Sequence, residues 1–104
     1  AMGMLLTGRR VSAEEGRSLG FVNEVVPEGE SLAAAKRWAA MILECAPLSV
    51  RGSKQAAMQG MSAGSLEAAI KGKYDQIRAM AKSEDFVEGP KAFSEKRAPD
   101  WKGC

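Results

Sequence analysis

Two pairs of adjacent carboxylates, Glu14-Glu15 and Glu84-Asp85, and one phenol, Tyr74, are the groups in this sequence best suited to moving a proton. The chain contains no histidine, so it lacks the commonest general base, the commonest metal ligand and any serine–histidine or cysteine–histidine couple. Acid–base chemistry would have to rest on carboxylate, lysine or tyrosine. Position argues against that use. Each carboxylate pair opens a helical stretch behind a capping serine, Ser12 or Ser83, where negative charge complements the helix dipole. Tyr74 falls within an apolar stripe, which favours packing with its hydroxyl at the rim. Arg9-Arg10 reads as a solvated loop pair, and Lys54 as an exposed cation whose stem can lie along a surface. Cys45 and Cys104 have no visible activator, and their spacing draws neither a disulfide framework nor a metal site. No catalytic residue and no metal ligand is assigned.

The elements that would position such groups are helical. Met2 to Leu6 is apolar and helix-tolerant, closed by Thr7-Gly8. The stretch "VSAEEGRSLG" starts a second helix with a capping box, Ser12 accepting from the amide three residues on and Glu15 reaching back, and Gly20 ends it. "FVNEVV" is too short for a helix before Pro27 and reads as an extended segment, Phe21 to Val26. From Glu30 to about Cys45, Leu32, Ala35, Trp38, Ala39, Ile42 and Leu43 recur at helical spacing on one face. Pro47 suits the first turn of the next helix, which runs to about Gln59 and ends in "GMSAGS". Ser65 caps a third long helix with a stripe of Leu66, Ile70, Tyr74, Ile77 and Ala81, weakened at Gly72 by about 1 kcal/mol against alanine. After the cap at Ser83, Gly89-Pro90 is expected to divide the last helical stretch into two short helices meeting at an angle, with Pro99 ending the second. Lys96 and Arg97 sit at its end, where two cations complement the dipole.

The totals exclude several classes of function. At 104 residues the chain is one domain's worth at most. Its 45% apolar and 27% charged residues are ordinary for a folded soluble protein. A net charge of +2, with 15 basic against 13 acidic residues and few aromatic rings, makes nucleic acid a poor partner. The longest apolar stretches fall far short of a membrane span and no signal peptide is visible, so no membrane partner is expected and the location is read as cytoplasmic. The helical stripes are narrow and alanine-rich, and the aromatic residues Trp38, Phe86, Phe93 and Trp101 are spread along the chain. Much apolar surface therefore wants a partner, another copy or a further domain. The opening "AMGMLLTG" starts inside what reads as the last turns of a helix.

Three stretches, "LLTGRRVSAEEGRSLGFVNEVVP", "APLSVRGSK" and "SEDFVEGPKAFSEKRAPDWKG", resemble in order and spacing the carboxy-terminal part of the enoyl-CoA hydratase/isomerase family, the crotonase fold. Gly16 stands where an alanine is usual, Phe21 where leucine is usual and Lys73 where glutamate is frequent. The resemblance implies a mainly α fold, the helical carboxy-terminal module of a crotonase-like protein. Residues 1–26 would end the crotonase-like core, and residues 27–104 would form a module for oligomerisation and for covering the active site. The catalytic domain, with its oxyanion-binding amides, would lie upstream. The implied activity is hydration of 2-enoyl-CoA thioesters through a stabilised enolate, with no catalytic residue in this segment and no activity of the segment alone. The alternatives are another reaction of the family, such as isomerisation, or a non-catalytic helical self-association module. No cofactor would be required; coenzyme A thioester is the substrate, and like subunits in a trimer or hexamer are the partners. Carried over by position, Phe93 and Lys96 match an aromatic residue and a lysine that approach the nucleotide end of CoA. Three residues apart on a helix, they would share a face, ring towards adenine and ammonium towards phosphate.

Overall fold

The computed structural model describes residues 2–104. The described residues form helices and irregular connections, with no strand among them. They fall into two compact units, dividing after Trp38.

In the first unit, α1 (Met2–Thr7) and α2 (Ala13–Ser18) stop where glycine supplies a left-handed residue, Gly8 at φ +60° and Gly20 at φ +85°. The Ser12 hydroxyl accepts from the Glu15 amide at 3.1 Å, one half of the expected capping box. The other half is absent: Glu15 takes the Arg9 guanidinium through both oxygens, at 2.7 and 3.1 Å. A bidentate charged pair outweighs a single bond to a cap amide. Phe21 to Val26 is irregular and belongs to no ladder; the amides of Phe21 and Val22 both point to the Gly16 carbonyl, at 3.2 and 3.3 Å. Glu24 then receives Arg37 and, at 2.8 Å, the indole nitrogen of Trp38. These last two residues lie on α3 (Ser31–Leu43), which begins in this unit and ends in the next.

The second unit continues with α4 (Pro47–Met61), Pro47 opening it as expected. The third long helix of the sequence reading is two short ones, α5 (Leu66–Ile70) and α6 (Asp75–Met80). The chain turns at Lys71 to Lys73, and the Tyr74 ring folds back over Gly72, where a Cβ would lie 2.7 Å from it. The Tyr74 hydroxyl donates to the Ala69 carbonyl at the end of α5. The side-chain oxygen of Gln55 on α4 receives the amide of Gln76 at 2.9 Å, and Ile77 seats against Gly52 of α4, so closely that a Cβ there would lie 3.2 Å from Ile77 Cγ1. These contacts with α4 outweigh continuing one helix through Gly72.

The last helix, α7 (Glu84–Ser94), runs unbroken through Gly89-Pro90, where two helices were expected. Proline removes one backbone bond, but both sides of it are held: Glu88 before it is tied to residues after the helix, and Ala92 beyond it is buried. Buried apolar residues amount to Ala34, Ala46 and Ala92, and no large side chain among the described residues is fully buried. The expected α3 stripe lies open, with Leu32, Trp38, Ile42 and Leu43 all exposed. A self-contained bundle core is therefore not what these helices build.

Candidate functional site

The candidate site is the end of α7 and the tail that follows. Ser83 starts the helix as its cap, accepting from the Phe86 amide at 3.2 Å and donating to the Met80 carbonyl at 2.7 Å. Glu84 and Asp85 both lie in the first turn but do different work. Asp85 is buried, and its two oxygens accept from the amides of Lys102 and Gly103, at 2.7 and 2.9 Å. The Glu84 amide donates to the Cys104 carbonyl at 2.8 Å. Trp101 then lays its ring on Gly89, 3.4 Å from where a Cβ would stand, and donates its indole N–H to the Glu44 carbonyl at 2.9 Å. The tail is thus pinned along α7 from both ends.

Between those pins the helix closes in a Schellman turn. Glu95 is the last residue of helical geometry, the Arg97 amide donates to the Ala92 carbonyl at 3.1 Å, and the Lys96 amide donates to the Phe93 carbonyl at 3.3 Å. This geometry needs a left-handed residue after the cap, usually glycine, and here Lys96 fills it at φ 53°. It is the one non-glycine residue with positive φ among those described. Arg97 is engaged by carboxylates rather than left free at the helix end. Its guanidinium grips both oxygens of Glu88, at 2.5 and 2.9 Å, and reaches Glu95 at 2.6 Å and the Ala98 carbonyl at 3.1 Å. The Asp100 amide donates to the same Glu88 carboxylate at 2.8 Å.

Of the two residues carried over for CoA, Phe93 is on α7 with 87% of its surface exposed, and Lys96 is exposed beyond the helix end. The helical-face argument for the pair fails, because α7 stops at Ser94. The two are joined instead by the backbone bond of the turn. Lys96 takes part in no ion pair among the described residues. A bare ring and an unpaired ammonium at one helix end can receive a heteroaromatic ring and an anion.

The carboxylates whose acidity is shifted are held by partners within the fold. Arg97 and the Asp100 amide pull the Glu88 carboxyl down to about 2. The Arg9 guanidinium lowers Glu15, and its own backbone N–H with the Ser12 hydroxyl lowers Glu14. A carboxyl that donates a proton near neutrality needs the opposite shift. Among the described residues no cluster of potential metal ligands occurs, and no helix is long and apolar enough to cross a membrane. Sequence reasoning missed Asp85 and Glu88 as tail anchors; the aspartate directly behind a cap looks like any first-turn acid until the tail lies beside it.

Comparison with known proteins agrees along the whole chain. The sequence model of the enoyl-CoA hydratase/isomerase family matches residues 1–104. A carnitinyl-CoA dehydratase of Salmonella typhi is 39% identical over 108 residues, covering 96% of this chain and 40% of that protein. Among solved structures, a protein from Novosphingobium aromaticivorans described as a short chain enoyl-CoA hydratase superposes with a TM-score of 0.90 at 40% identity, over 99% of this chain and 40% of that one. The enoyl-CoA hydratase EchA1 of Mycobacterium marinum gives 0.88 at 34% identity, over 99% of this chain and 40% of its own. The chain therefore spans about 40% of the length of the relatives it matches. With sequence and backbone in agreement from end to end, the chain belongs to the enoyl-CoA hydratase/isomerase family.

Proposed function

We propose that this chain is the carboxy-terminal helical part of an acyl-CoA-handling enzyme, an enoyl-CoA hydratase that adds water across the double bond of a 2-enoyl-CoA thioester. The catalytic groups would come from the polypeptide ahead of it, and this segment would cover the bound CoA and join like subunits in a trimer or hexamer. The observation that carries the reading is the end of α7. Phe93 stands almost wholly exposed beside Lys96, a lysine held where glycine is the usual residue. The Lys96 ammonium forms no ion pair among the described residues and the Phe93 ring is left open, and both suit the adenine ring and phosphate of a CoA thioester. The open apolar side chains of α3 and α4, Ile42, Leu43, Met58 and Met61 among them, support a role in association.

The test is kinetic. In the full-length polypeptide, Lys96→Ala should raise KM for crotonyl-CoA on the order of tenfold, as expected for losing one charged contact. The bound-state step should change little, because the contact is remote from the reacting carbons. An unchanged KM would remove Lys96 from the site.

A further inference from the structure

We infer that Glu88 and Arg97 are positioning residues for Lys96, setting the direction of its ammonium through the backbone turn that carries it; the inference rests on the proposed role of Lys96 at CoA. Three observations meet at this turn. Lys96 is left-handed at φ 53°, a conformation that a lysine does not hold by local preference. Its C-terminal neighbour, Arg97, is fixed by a two-pronged bond to Glu88 of α7, nine residues back along the chain, at 2.5 and 2.9 Å. Glu88 also receives the Asp100 amide at 2.8 Å, so one carboxylate anchors the chain on the far side of Lys96 as well.

The arrangement is over-determined for a simple helix end. A Schellman turn closes with its two backbone bonds alone, and here both are present, from Lys96 to Phe93 and from Arg97 to Ala92. The Glu88–Arg97–Asp100 clamp adds constraint on the residues flanking Lys96, a cation with no ion-pair partner among the described residues. Residues in sparsely populated backbone conformations persist where surrounding contacts hold them, and they gather where a side chain must be aimed. Holding Lys96 before the ligand arrives removes an ordering cost from binding. The planar guanidinium fork is essential to the clamp, since lysine would offer a mobile point charge instead.

A double-mutant cycle in the full-length polypeptide tests this, with crotonyl-CoA and S-crotonyl-pantetheine, which lacks the nucleotide end, as the two substrates. Glu88→Gln and Arg97→Lys are each expected to raise KM for crotonyl-CoA about threefold to tenfold. They should lower the ratio of kcat/KM for the CoA ester over the pantetheine ester by the same factor. In a Lys96→Ala background neither substitution should lower that ratio further, because there is no ammonium left to aim. The inference is overturned if their effects multiply with that of Lys96→Ala, or if both substrates suffer equally, the result of a merely destabilised fold. If Lys96→Ala alone leaves the ratio unchanged, the CoA reading of Lys96 fails and the inference falls with it. If Lys96→Ala lowers the ratio but the cycle is additive, the positioning role alone is refuted.

Discussion

If Lys96 meets CoA as proposed, stability and use conflict within a single residue. At φ 53° its Cβ crowds the backbone, whereas glycine takes that conformation freely. Lys96→Gly is therefore expected to raise the unfolding free energy by up to about 1 kcal/mol while weakening CoA-ester binding, a pair of opposed changes that denaturant titration and KM read separately. A fall in both would mark Lys96 as structural. Gly16 and Phe21 give the second residue-scale case. The two lie in contact: a Cβ on Gly16 would stand 2.8 Å from the Val22 side chain and 3.0 Å from the Phe21 ring. Gly16→Ala should cost about 1–3 kcal/mol through overpacking. Adding Phe21→Leu should recover at least about 0.5 kcal/mol of it, seen as coupling in thermal or denaturant unfolding. Neither residue's reason is visible in a linear sequence, because the small residue makes sense only beside the large one.

Among the elements, the ends were legible and the continuities were not. Ser12, Ser65 and Ser83 all cap helices through the amide three residues on, and Pro47 opens α4; each of these is local chemistry within one turn. The break before Tyr74 and the continuity through Pro90 were misread, because both are decided by partners distant in sequence. Gln55 meets Gln76 and Ile77 meets Gly52, while Trp101 covers Gly89 and Arg97 returns to Glu88. The candidate pair Phe93 and Lys96 came from family likeness, and its supporting clamp needed the folded tail. That clamp has a pH signature. The Glu88 carboxyl lies at about 2, below its ordinary 4.5, so its contribution to stability is fully present above the ordinary value and is lost as pH falls from there towards 2. Acid unfolding of Glu88→Gln should therefore start from a lower plateau and lose less stability across that window. An identical acid limb in both proteins would show that the Glu88–Arg97 bond contributes nothing to folding.

At the scale of the molecule, the decisive feature is what the helices leave uncovered. Among the described residues three alanines make up the buried apolar set, while Leu5, Leu6, Leu43, Met61, Leu66 and Phe93 each keep more than three-quarters of their surface open. An isolated domain of this length ordinarily removes far more apolar surface from water. The carboxylates whose acidity is shifted, Glu14, Glu15 and Glu88, are driven towards permanent charge by partners that serve the fold. Under the proposed function such a chain covers and joins, and the reacting groups come from elsewhere. The most direct measurement is crotonyl-CoA hydration, followed by loss of the enoyl-thioester absorbance, for the 104-residue chain beside the full-length polypeptide at equal concentration. The account predicts turnover by the full-length polypeptide and none above background by the chain alone. Turnover by the chain alone, or none by the full-length polypeptide, would contradict it.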